Sequence, residues 1–68
     1  MKIKIDTEFI KLDSLLKYAS VVQTGAEAKN LILDEQVLLN GEIVTQRGKK
    51  IRPGDKIEVL DQIIEIEG

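Results

Sequence analysis

The chain contains no cysteine and no histidine. The first absence excludes disulfides and thiolate nucleophiles, and the two together exclude zinc sites with sulfur or nitrogen ligands and imidazole acid-base catalysis. Tryptophan is also absent, and Phe9 and Tyr18 are the two aromatics in 68 residues. A sheet that stacks nucleobases needs aromatic platforms on its exposed strands. The segments from Val37 onward have none, which disfavours RNA-recognition-motif, oligonucleotide-binding-fold and cold-shock modes of binding. No apolar run approaches the roughly 20 residues that span a bilayer, and the N-terminus lacks the long apolar core of a signal peptide. A cytoplasmic protein without membrane contact is expected.

What is present is enough for one small core. A chain of 68 residues with 43% hydrophobic and 32% charged content reads as a single domain over 1–68, too short to enclose a deep active site. The net charge is −2, which argues against indiscriminate attraction to polyanions. The charges are segregated, however. Between Gln46 and Lys56, five cations face Asp55 alone, a net +4, whereas Ile57 to Gly68 holds four carboxylates and no cation.

The periodicity predicts an α+β fold. Lys2 to Asp6 alternates polar and β-branched residues, as an edge strand does. Leu12, Leu15, Leu16 and Ala19 recur at helical spacing, which predicts a short helix starting between Thr7 and Lys11. Val21-Val22 ends it. Thr24-Gly25-Ala26-Glu27 is a capping box, predicting a second helix to about Asp34 or Glu35. Asn40-Gly41, between Val37-Leu38-Leu39 and Glu42-Ile43-Val44, predicts a type I′ hairpin, and Arg52-Pro53-Gly54-Asp55 a type II turn. Lys56 to Leu60 and Gln62 to Ile66 read as a hairpin or as one bulged strand. The expected order is one strand, two short helices, then a mostly antiparallel sheet of three or four strands.

Catalytic constellations are missing. Asp13 and Glu27 fall in first turns of helices, where they complement the dipole. The hydroxyls of Ser14, Ser20, Thr24 and Thr45 have no imidazole to activate them, and no phosphate-binding loop ends in Lys-Ser or Lys-Thr. No enzyme, metal or cofactor is expected. Binding has more support. Arg47-Gly48-Lys49-Lys50-Ile51-Arg52 puts four cations in six residues, and Gly48 allows close backbone approach to a phosphate. The helix start at Thr24 offers free amides, with Lys29 about one turn on. The expectation is that this helical pair and the cationic loop converge on one side of the molecule.

Lys11-Leu12-Asp13, Thr24-Gly25-Ala26-Glu27-Ala28-Lys29, Val37-Leu38-Leu39-Asn40-Gly41 and Ile51-Arg52-Pro53-Gly54-Asp55-Lys56-Ile57 together resemble the RNA-binding domain first described in ribosomal small-subunit protein four, the S-four domain, from about Lys11 to Val59. The closest likeness is to its small stand-alone bacterial members. The resemblance implies a helix-turn-helix-like (αL) pair on a small twisted sheet, with structured RNA of the ribosomal or transfer class as partner. It implies RNA contacts at Lys11, Thr24, Lys29, Arg47, Lys49, Lys50 and Arg52. Many members have Ser-Arg where this chain has Thr24-Gly25, and a base where it has Glu42, which implies weak intrinsic affinity or binding assisted by a partner. Two other readings stand beside it: a β-grasp sulfur carrier, which needs a flexible Gly-Gly end where this chain has Glu67-Gly68, and a protein adaptor.

Overall fold

In the computed structural model, which describes residues 1–68, the elements run β1 (Lys2–Lys4), β2 (Ile10–Lys11), α1 (Leu12–Tyr18), α2 (Gly25–Leu33), β3 (Val37–Leu39), β4 (Glu42–Ile43), β5 (Lys50–Ile51), β6 (Lys56–Val59) and β7 (Gln62–Glu67). The α+β class, the edge position of the first strand and the order of elements match expectation. The sheet is larger, with five strands in the order β1-β7-β6-β3-β4 and a separate two-stranded pair of β2 with β5.

Helices of seven and nine residues cannot persist alone in water. They persist here because each buries one stripe. Leu12, Leu15, Leu16 and Ala19 of the first helical segment and Ala28 and Ile32 of α2 close over Val37, Ile57, Val59, Ile64 and Ile66 of the sheet. Both helices end in the same hydrogen-bond pattern. Ser20 N donates to Lys17 O and Val21 N to Leu16 O; Glu35 N donates to Ile32 O and Gln36 N to Leu31 O. These are Schellman motifs, in which a left-handed residue satisfies the last carbonyls. Ser20 and Glu35 hold that position, with φ of 62° and 60°, where glycine is usual.

The first helix begins later than expected. Ile10 and Lys11 form β2, antiparallel to β5, and the helix starts at Leu12 with no side-chain cap at Lys11. The expected α2 cap is present. Thr24 Oγ1 accepts from Glu27 N at 3.2 Å, although the Glu27 carboxylate reaches the threonine hydroxyl, at 3.5 Å, rather than a backbone amide.

Both expected turns form. Asn40 and Gly41 have positive φ, and Leu39 pairs with Glu42. Asp55 N donates to Arg52 O across Pro53-Gly54, with Gly54 at φ 97°. The open alternative at Asp61 resolves as a hairpin: Val59 pairs with Gln62, and Leu60 and Asp61 both take positive φ. Finally, β1 runs parallel to β7, with Lys2 opposite Glu65 and Lys4 opposite Glu67. The sheet is therefore mixed, and it ties the first residues to the last.

Candidate nucleic-acid interface

The cationic loop is fastened to the start of α1 by its own backbone. Helix N-termini leave amides without intrahelical partners; at α1 the cap position, Lys11, offers no side-chain acceptor, and the Asp13 carboxylate takes the Ser14 amide at 2.8 Å. The two amides before it are served by the loop: Leu12 N donates to Lys49 O at 2.9 Å and Asp13 N to Arg47 O at 3.0 Å. Lys49 N donates back to Gln46 O, closing the loop around Gly48. The carbonyls therefore point at the helix, and the exposed side chains of Arg47 and Lys49 are carried on a backbone anchored there.

Pairing of β2 with β5 adds two more cations. Lys11 lies directly opposite Lys50, beside the Ile10 and Ile51 pair. Like charges opposed across strands destabilise a ladder, so this register concentrates charge at a cost. The Lys50 ammonium stands 5.0 Å from the centroid of the half-buried Phe9 ring, a cation-π distance that helps hold it in place. No carboxylate neutralises the group. The ion pairs of the molecule are Lys2 with Glu67 and Lys56 with Glu58, both at 3.8 Å, and neither involves Lys11, Arg47, Lys49, Lys50 or Arg52.

Arg52 begins the neighbouring turn, which is braced from an unexpected direction. Asp55 Oδ2 accepts from Arg52 N at 2.8 Å and its Oδ1 accepts from Asn40 Nδ2 at 3.1 Å, while Asn40 Oδ1 accepts from Lys56 N at 2.9 Å. Asn40 thus does more than tolerate positive φ: it links the two turns.

Thr24 and Lys29 stand apart from this group in their bonding. Thr24 caps α2 and Lys29 lies on it, both exposed; α2 packs on α1, and no hydrogen bond or ion pair joins either residue to the loop. The Thr24 hydroxyl is engaged with Glu27, whose carboxylate stands at the same helix end. The sequence marks Phe9 only as one of two aromatics; its contact with Lys50 comes from the fold. No group of three or more Asp and Glu residues is placed to hold a metal ion, and no helix is long and apolar enough to cross a membrane.

This arrangement of two helices, a capped cationic loop and a mixed sheet has known counterparts. The sequence model of the S4 domain matches residues 3–67. The chain belongs to the S4 domain family. It is 44% identical over 57 residues to the probable ribosome maturation protein RlbA of Bacillus subtilis (strain 168), an alignment that covers 84% of this chain and 80% of that one. It is 39% identical over 49 residues to small ribosomal subunit protein uS4 of Coxiella burnetii (strain CbuG_Q212), covering 72% of this chain but 24% of the relative. Among solved structures, a pseudouridylate synthase superposes with a TM-score of 0.74 at 27% identity, covering 82% of this chain and 24% of that one. The S4 chain thus spans most of RlbA and about a quarter of the two larger proteins. Membership of this family sets aside the β-grasp carrier reading.

Proposed function

We propose that this S4 domain is a non-catalytic RNA-binding protein that grips structured RNA of the ribosomal or transfer class by its phosphates and shape, and that it works on a ribosomal particle in the cytoplasm. One observation carries the reading: Lys11, Arg47, Lys49 and Lys50 are held on one backbone framework, two of them directly opposed, with no carboxylate paired to any. A folded protein tolerates such a cluster most readily where an external polyanion completes it. The ribosome maturation protein and ribosomal protein among its relatives support the same class of partner. Arg52, Thr24 and Lys29 extend the contact in this reading, with Thr24 serving mainly to shape the helix start. The part shared with the pseudouridylate synthase is 24% of that chain, and we assign the present chain no catalytic step.

The test is a salt titration of binding to a labelled ribosomal RNA hairpin, followed by fluorescence anisotropy. Release of counterions from a few phosphates predicts a log-log slope of about −2 to −4. Replacing Arg47, Lys49 and Lys50 with alanine should flatten the slope and weaken binding on the order of a hundredfold, with the cooperative thermal unfolding of the folded domain retained. Full affinity in the triple variant refutes the loop assignment.

A further inference from the structure

The surface changes character at the turn between β6 and β7. Leu60 and Asp61 both hold left-handed backbone, with φ of 48° and 64°, a conformation that glycine or asparagine adopts more cheaply. Leu60 is nevertheless 51% exposed, so the strain is not offset by burying its side chain. Strained backbone of this kind clusters where a protein binds something.

The leucine stands as a ridge between two shallow grooves. Toward α2 the groove is lined by Val21 and Leu31 with Glu27 and Asp34; across the sheet it is lined by Leu38 and Ile63 with Glu58 and Asp61. Every charged residue lining either groove is a carboxylate. On the sheet side the register sets Ile63 opposite Glu58 and Glu58 opposite Leu38, so a carboxylate stands between two aliphatic side chains. Ile63 is 48% exposed. Exposed apolar surface rimmed by polar groups marks an interaction site.

Charge decides what fits. Four carboxylates repel nucleic acid and anionic lipid alike. A two-fold pairing with a second copy brings each Glu58 and Asp61 into one interface with its own equivalents, which is unfavourable. A protein segment in which lysine or arginine alternates with aliphatic side chains satisfies both the apolar floors and the acidic rims. We propose that the Leu60 ridge and its two grooves dock such a basic, aliphatic segment of a partner protein, on a surface distinct from the Lys11 and Lys50 cluster and independent of whether that cluster binds RNA.

The test places the photocrosslinker p-benzoylphenylalanine at the exposed Gln62 of the full chain, in cells that make the protein. Adducts are digested with ribonuclease and mapped by mass spectrometry. The expected result is an adduct to one protein, through a segment that combines lysine or arginine with leucine, isoleucine or valine. The reversal Glu58→Lys with Asp61→Lys should cut its yield at least tenfold. Leu60→Asn with Asp61→Gly should also cut the yield while raising the melting temperature, which separates lost docking from lost folding. The Arg47, Lys49 and Lys50 triple variant should keep the adduct. The proposal is overturned by adducts to RNA, lipid or a second copy, by a segment without cations, by no adduct, or by yields that ignore the charge reversal or vanish in the triple variant.

Discussion

The turns at Asn40-Gly41 and at Leu60-Asp61 trace similar paths with opposite chemistry. Each joins two antiparallel strands through two residues of positive φ. The first uses the residue pair best suited to that backbone, and its asparagine also receives and donates bonds that reach Asp55 and Lys56. The second uses a leucine, ill suited to the conformation, with an aspartate that tolerates it, and no side-chain hydrogen bond to the rest of the molecule supports either one. One turn is held by local propensity and braces the cationic side. The other is held by the strands it joins and displays an apolar side chain among carboxylates. The difference teaches that this backbone shape can be imposed by tertiary pairing alone, at a cost that binding can justify.

Breaking the first turn should have the largest effect. Gly41→Val puts a β-branched residue at φ 89° and should destabilise the protein by about 2–3 kcal/mol, read by urea denaturation. Asn40→Ala comes next, at about 2 kcal/mol, because it removes the acceptor for Lys56 N and the link to Asp55. Asp55→Ala should cost about 1.5 kcal/mol. Combined with Asn40→Ala it should be less than additive, by about 0.5–1 kcal/mol, because the two share one bond. Strict additivity in that cycle would show that the brace is not energetically real. The smallest effect has the opposite sign. Leu60→Asn with Asp61→Gly should stabilise the fold by roughly 0.5–1 kcal/mol, a rise in melting temperature of about 5 °C for a domain of this size. A loss of stability there would mean that Leu60 is a structural residue and not a strained, displayed one.

The same contrast explains what was legible beforehand. The Asn40-Gly41 hairpin, the Arg52 to Asp55 turn and the Thr24 cap were readable because their residues prefer the observed backbone. The hairpin at Leu60 is ambiguous in the sequence because a leucine does not prefer that backbone. The ends of α1 and α2 were located only approximately, since Ser20 and Glu35 stand where glycine would have marked the stop. The loop cations were visible as a run, but their attachment to α1 was not. It is made by the carbonyls of Arg47 and Lys49, and carbonyls carry no residue signature. Phe9 was legible only as a scarce aromatic, and its place under the Lys50 ammonium needed the β2 and β5 register.

By itself the sequence determined what is local: two amphipathic helical stripes, glycine-bearing turns, a capping box, and a cationic run followed by an acidic one. Each depends on residues within a turn or two of one another, where steric preference and side-chain period act directly. Only the tertiary structure decided which distant backbones meet. It paired β1 in parallel with β7 across almost the whole chain, set Lys11 against Lys50, and turned the carbonyls of the cationic loop onto the amides of α1. Those contacts come from burying one shared apolar core and satisfying the polar backbone around it, and that collective requirement is not written at any single position.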